Sequence, residues 1–354
     1  MRWLAGCGLA SVIALSVGAL RTDEARSGMT AKPDTVNTPE ARSTTIRLLA
    51  VGDINLGRRV GQRILRGDTL YPFVAVKDSF AAFDVVFGNL ESQLSNQKGL
   101  TENPRNNLIF TGPPAGAYSL KKAGVTIVST ANNHALDYGV QAARETRQNL
   151  DEAGVLHVGT AEDTAGLFTP AVLTMNGIRI AFFACTDVMN FEDVIWKKHV
   201  AEADTGKLLP HIRAARGSVD FIIVSYHGGE EYADRPTRRT KDLARELLAG
   251  GADLFLGHHP HVPYGVEEFE GKYIVHSLGN FVFYQPDRFW AQRSFAFAAD
   301  ITKDETGTRV TSFRCLPVQS GFQPAFVTDE LEIDVIMERI RSLSTQSIAE
   351  AISY

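Results

Sequence analysis

The chain has 354 residues, 44% hydrophobic and 22% charged, which excludes a disordered polymer and supplies a large buried core. A formal net charge of −5 with no basic stripe argues against a nucleic-acid partner. Three cysteines are too few for a disulfide framework, and Cys185 and Cys315 read as buried thiols in strands.

Residues 1–21 carry one early arginine and then an apolar run of small residues. They read as a signal peptide or an uncleaved signal anchor. Either form exports the body, to the periplasmic or extracellular face of the cytoplasmic membrane. "LAGC", ending at Cys7, has the form of a lipoprotein box, but the apolar stretch before it is too short for one. Residues 22–44 are polar, contain Pro33 and Pro39, and read as a flexible linker. The globular body is expected over 45–326, and a peripheral helical segment over 327–354.

Within the body, short apolar runs each end in polar residues. "TIRLLAVGD" runs into Asp53, "FDVVFGNLE" into Asn89 and Glu91, and "GVTIVSTANNH" into Asn132, Asn133 and His134. "VDFIIVSYHGG" runs into His227 and "ADLFLGHHPH" into His258, His259 and His261. Runs of this length, rich in Val, Ile, Leu and Phe, predict strands buried on both faces. "GVQAARETRQNLDEAG" and "TRRTKDLARELLAGG" predict helices closed by glycine. Asn176-Gly177 predicts a hairpin, and Glu270-Gly271 another turn. The result is an α/β fold with mixed sheets.

In open α/β sheets ligands bind at the carboxyl ends of strands. Five of the nine histidines fall at three of these five ends, and Asp, Asn and Glu occupy the others or lie beside them. Such a mixed oxygen and nitrogen set suits divalent Mn, Zn or Fe. In an extended segment, residues two apart share a side, so His259 and His261 face together while His258 alternates away, towards packing, hydrogen bonding or substrate. Asn89 and Glu91 share a side by the same rule.

"VGDINLGR", "GNLESQLS", "TANNHALDYG", "GADLFLGHHPHV" and "HSLGNFVF" occur in this order over about residues 46–285. Together they resemble the calcineurin-like metallophosphoesterase superfamily and, within it, the CapA/PgsA family of capsule and poly-γ-glutamate synthesis. The resemblance implies a four-layer αββα metallophosphatase-like sandwich holding one or two divalent metal ions. It implies Asp53, Asn133, His227, His259 and His261 as ligands. Asn55 stands where the superfamily carries a histidine and is counted with them. Asn89 stands in place of a bridging aspartate, and Glu91 supplies the missing carboxylate. Ala135 replaces an acid. His134 is implied as the general acid or oxyanion stabiliser, with Asp137 beside it to fix the loop or orient the ring.

Arg58, Arg59, His258 and Asn280 are placed to meet substrate or support the site. Asn132 reads as a left-handed turn residue. His157, His199 and His211 read as surface or structural, and His276 as a satisfied core histidine. Two functions follow from the resemblance. One is an exported metal-dependent hydrolase acting on an anionic polymer or phosphate-containing substrate. The other is a non-catalytic accessory protein that holds a polymer or a membrane synthase, itself membrane-bound if the N-terminal segment is retained.

Overall fold

The computed structural model describes residues 43–190 and 194–354. The leader, Cys7 and nearly all of the linker lie outside the described residues. Among those described, no helix is long and apolar enough to cross a membrane.

The first half of the chain builds one sheet and its helical cover. In order come β1 (Thr44–Ile54), α1 (Arg58–Leu65), α2 (Lys77–Phe80), β2 (Val85–Leu90), β3 (Gln93–Leu94), β4 (Glu102–Asn103) and β5 (Asn106–Gly112). There follow α3 (Gly116–Ala123), β6 (Ile127–Ser129), α4 (Gly139–Ala153) and β7 (Leu156–Val158). β1, β2, β6 and β7 pair in parallel, and β3, β4 and β5 form a small separate sheet. α4 ends as its sequence predicts, with Gly154 in the left-handed conformation at φ 69°.

A second sheet follows from β8 (Ala171–Met175), β9 (Ile178–Thr186), α5 (Thr205–Arg216), β10 (Phe221–His227), α6 (Arg238–Ala249), β11 (Leu254–His258), β12 (Val266–Phe269) and β13 (Lys272–Val275). Its strand order is β12-β13-β11-β10-β9-β8, parallel in the middle and antiparallel at both edges. Both predicted turns form, with Asn176 and Gly177, and Glu270 and Gly271, all at positive φ.

The chain then crosses back to the first sheet, which the sequence reading did not anticipate. β14 (Asn280–Val282) pairs in parallel with the end of β1, setting Asn280 opposite Asp53. Gly52 permits this approach, because a Cβ there would lie 1.9 Å from the Gly279 carbonyl oxygen. A long hairpin, β15 (Arg293–Asp304) and β16 (Gly307–Gln319), extends the same sheet, and β17 (Ala325–Phe326) completes its edge.

Burial alternation explains the layers. Leu48 and Ala50 of β1 point into a core shared with Ile180, Phe182, Ile223 and Leu256 of the second sheet. Leu49 and Val51 point the other way, onto Val60, Leu120 and Leu150 of α1, α3 and α4. On the far side, Phe183, Val224 and Phe255 pack against Ile212 of α5 and Leu247 of α6. The order is therefore helices, sheet, sheet, helices. Phe87 and Phe182 stack across the middle with centroids 5.8 Å apart. Burying each such ring is worth about 2–3 kcal/mol.

The C-terminal segment is helical and buries one face. α7 (Glu330–Ser342) and α8 (Gln346–Ala351) form, and Ile336, Met337 and Ile340 of α7 are fully buried in the core between the sheets. Its apolar residues recur at helical spacing, so the helix closes the open end of that core. Cys185 in β9 and Cys315 in β16 are buried free thiols, as the sequence suggests.

Candidate metal centre

The carboxyl ends of the two parallel strand sets meet. β1 brings Asp53 opposite Asn89 of β2, and β10 brings His227 opposite His258 of β11. Asp53, Glu91, His227 and His258 are all fully buried. Asp53, Glu91 and His227 offer ligand atoms within 4.8 Å of one another.

Glu91 Oε1 occupies the middle. His134 Nε2 and His261 Nε2 lie 3.8 Å from it, and His227 Nε2 lies 3.9 Å away. These gaps are too long for hydrogen bonds. Neither Glu91 oxygen has a hydrogen-bond partner, and neither does Asp53 Oδ2. Among the described residues, no lysine or arginine pairs with either carboxylate. A buried carboxylate left this way costs several kcal/mol. Donor atoms that share a divalent ion stand roughly 3–4 Å apart, so the group fits a cation with few adjustments. A second convergence lies beside it, where His227 Nε2 is 2.8 Å from Asn133 Oδ1 and 3.1 Å from His259 Nδ1.

The electrostatics agree. Burial, then the charge of Asp53, pushes the Glu91 carboxyl well above its ordinary value. Burial alone would push Asp53 up as well. The imidazoles of His258 and His261, 3.3 and 3.4 Å away, outweigh it and hold Asp53 well below its ordinary range. Burial, then His259, keeps His227 far below the usual histidine value, and burial, then His261, pushes His259 down to about 3. Neutral imidazoles are the form that binds metal.

Hydrogen bonds fix the rings. Asn280 Nδ2 donates to Gln285 Oε1 and the Ala291 carbonyl, so Asn280 Oδ1 faces His261 Nδ1 at 2.8 Å. That places the proton on Nδ1 and turns a bare Nε2 towards Glu91. Asn89 Nδ2 donates to Asp53 Oδ1 at 2.9 Å and faces His227 Nδ1 at 3.1 Å. His134 Nδ1 donates to Asp137 Oδ2 at 2.7 Å, and the Phe110 N–H donates to the same oxygen at 2.6 Å. The His134 ring stacks on Phe110 with centroids 4.0 Å apart, and the Arg58 guanidinium lies 4.5 Å from the centroid of the same Phe110 ring. These groups open onto a cavity of about 280 Å3 lined by Asn133, His134, Tyr232 and His261.

A family profile, "Bacterial capsule synthesis protein PGA_cap", matches residues 47–285, which contain every residue of this centre. The chain belongs to the bacterial capsule synthesis protein family. It is 30% identical over 294 residues to the capsule biosynthesis protein CapA of Bacillus anthracis, covering 81% of this chain and 71% of that one. It is 34% identical to the PGA biosynthesis protein CapA of Bacillus subtilis (strain 168), covering 72% of this chain and 68% of the relative. A probable polyglutamine synthesis accessory protein of Mycobacterium tuberculosis (strain H37Rv) is 26% identical over 66% of this chain and 65% of its own length.

Within this capsule-synthesis fold, the predicted ligands Asp53, Glu91, Asn133, His227, His259 and His261 come together, but three sequence readings need correction. Asn55 is expected among the ligands, yet its side-chain oxygen accepts the Gly57 N–H at 2.8 Å and builds the turn before α1. His259 and His261 do not converge by alternation along an extended segment. β11 stops at His258, and both residues take positive φ, 95° and 60°. Non-glycine residues held there cost about 1–3 kcal/mol each, a strain that re-aims the rings. His258 lies against the site through Nδ1, 3.3 Å from Asp53 Oδ1, and packs on Phe87.

Asn132 is no left-handed turn residue. Its Nδ2 donates to Asn89 Oδ1 and the Leu90 carbonyl, and its Oδ1 accepts the His134 N–H. Asn132 ties the two loops together, a role the sequence reading missed, as it missed Phe110. Neither carries a local signal, because each acts on residues distant in the chain. His276 pairs with Glu267 at 2.9 Å inside the core, as its isolated apolar setting suggests.

Proposed function

We propose that this chain is a divalent-metal-dependent hydrolase acting outside the cytoplasm on an anionic envelope polymer of the capsule or poly-γ-glutamate type, during its synthesis, transfer or export. One observation carries the catalytic part. Glu91 is fully buried, lacks a hydrogen-bond partner on either oxygen, and is ringed by three imidazole nitrogens. Asp53, Glu91, Asn133, His227, His259 and His261 are the residues that would hold the metal. A bound divalent ion lowers the pKa of a water ligand and polarises a phosphoryl or amide-type oxygen.

The rest belongs to the chain. With its Nδ1–H donated to Asp137, His134 presents Nε2 to the cavity; in the doubly protonated ring the Nε2 proton passes to the leaving group, and the neutral ring that remains keeps its Nδ1–H on Asp137. Asp137 touches no cavity-facing atom of that ring; it positions His134 and stabilises the ring when protonated. Phe110 covers one ring face and keeps water from it. The names of the two Bacillus relatives support the polymer assignment, and the N-terminal apolar segment supports export. Metal content and turnover of bis(4-nitrophenyl) phosphate with added Mn or Zn test the reading. Bound metal with turnover is expected; no metal after reconstitution would sink it.

A specific observation favours a second reading, a non-catalytic accessory protein that keeps the fold and holds a polymer or a membrane synthase. Asn89 presents an NH2 group, not a carboxylate, between Asp53 and His227. The mycobacterial relative's name, accessory protein, points the same way. Bound metal without turnover of any ester would select this reading.

A further inference from the structure

Outside the metal centre lies a cluster that the proposed chemistry leaves unused. "GRRVGQRILR" places four arginines within nine residues of a chain whose net charge is −5. α1 buries Val60, Gly61 and Ile64, which leaves Arg59, Arg63 and Arg66 exposed on its other face. None of the three has a salt-bridge partner among the described residues. Arg59 lies 5.7 Å over the ring of Phe322 and Arg63 5.2 Å over that of Tyr71, so aromatic faces hold the guanidinium groups and leave their N–H donors free. The arginines line a trough of about 580 Å3. Glu102 also lines it, as its one carboxylate.

Arg58 lines both this trough and the cavity of the metal centre. Its backbone is pinned at φ 49°, with its N–H donating to Thr101 O and its carbonyl accepting from Thr101 Oγ1. We infer that the arginine face of α1 is a track for an extended polyanionic chain bearing regularly spaced carboxylates, led past Arg58 towards the metal centre. Spacing decides against a single small anion. Arg59 to Arg66 covers about 10 Å along the helix, the length of about three extended residues and far more than one phosphate spans. Guanidinium forks match carboxylates in two-point contacts. The inference rests on the polymer part of the proposed function and not on hydrolysis.

The test is fluorescence anisotropy of labelled poly-γ-glutamate, about ten residues or longer so that it outspans the track, on the full chain reconstituted with Mn. Binding is expected to weaken as salt rises from about 0.05 to about 0.3 M. The Arg59→Glu, Arg63→Glu, Arg66→Glu triple variant is expected to bind at least about tenfold more weakly at low salt, with metal content unchanged. The corresponding triple lysine variant, which keeps the charge but loses the planar fork, is expected to bind more tightly than the charge-reversed protein and more weakly than the native chain. If the triple variant fails to fold by circular dichroism, single Arg63→Glu and Arg66→Glu variants carry the test.

Unchanged binding in the charge-reversed protein would overturn the assignment. So would displacement of the chain by equimolar inorganic phosphate. Arginine-dependent binding to phosphatidylglycerol vesicles, with none to polyglutamate, would give the face to a membrane instead. Polymer binding without ester turnover would sink the hydrolase reading alone, and turnover without polymer binding would sink the track alone.

Discussion

His134 Nδ1 and Asp137 Oδ2 lie 2.7 Å apart, one turn of chain from each other, and the Phe110 N–H holds the same carboxylate oxygen. The bond decides which ring nitrogen faces the cavity. Asp137→Asn replaces an obligate acceptor with an amide that accepts or donates, so the ring loses its fixed tautomer. Turnover is expected to fall roughly 10- to 1000-fold, with metal content unchanged, and His134→Ala by about 100- to 10,000-fold. The check is kcat on esters of graded leaving-group acidity. A general acid matters least for 4-nitrophenol and most for an alcohol, so a loss that ignores the leaving group would refute the role given to His134.

Glu91 places the centre's metal dependence within reach of a stability measurement. Ion binding to the folded state at one hundred times its dissociation constant adds about 2.7 kcal/mol. Chelation is therefore expected to lower the Tm of the native chain, and added Mn or Zn to restore it. Glu91→Gln removes the central carboxylate while keeping its shape, so most of that metal-dependent increment should vanish. Calorimetry with and without chelator, beside elemental analysis, reads both effects. A Tm indifferent to chelator in a protein that carries metal would contradict the assignment.

Much of this site is legible in the sequence, and the reasons divide by range. Asp53, His227 and His258 end apolar runs, and strand ends are where such folds converge, so local pattern suffices for them. The layers follow from the same runs, because Leu48 and Leu49 must face opposite cores. What resists reading acts across the chain. β14 reaches β1 only because Gly52 admits the Gly279 carbonyl, and no periodicity announces that contact. Phe110 reaches His134 from a short strand of a separate small sheet. The strained backbone at His259 and His261 is likewise invisible to a reading based on ideal strands, although it aims both rings. α7 shows its apolar stripe plainly, but its burial depends on a core left open by other elements.

Asn280 and His276 lie four residues apart and predict opposite outcomes. Asn280 fixes the tautomer of His261, and losing such a partner weakens metal binding typically 10- to 100-fold. Asn280→Ala is expected to do so. His276 faces Glu267 in the core, and among the described residues its side chain forms no hydrogen bond or ion pair with a residue of the centre. His276→Ala should leave metal affinity unchanged and cost about 1–3 kcal/mol of stability, because a buried carboxylate loses a donor. Metal titration of both variants, with denaturant unfolding alongside, separates the roles. Weakened metal binding in His276→Ala would overturn the division.

The pair of Glu267 with His276 also sets part of the acid sensitivity. Burial alone would raise the Glu267 carboxyl, but hydrogen bonds from His276 and Arg245 outweigh it and hold it down to about 2, against an ordinary value of 4.5. The folded state thus binds this proton less readily than the unfolded chain. The stability it contributes is fully present above pH 4.5 and drains away as pH falls towards about 2. Glu267→Gln removes that share. The variant is expected to melt lower than the native chain at neutral pH, and the gap should narrow as the solution is acidified. Melting curves across the acid range, taken in chelator so that metal release does not intrude, test the sign. A gap that widens on acidification would mean that Glu267 is held by something other than its hydrogen bonds from His276 and Arg245.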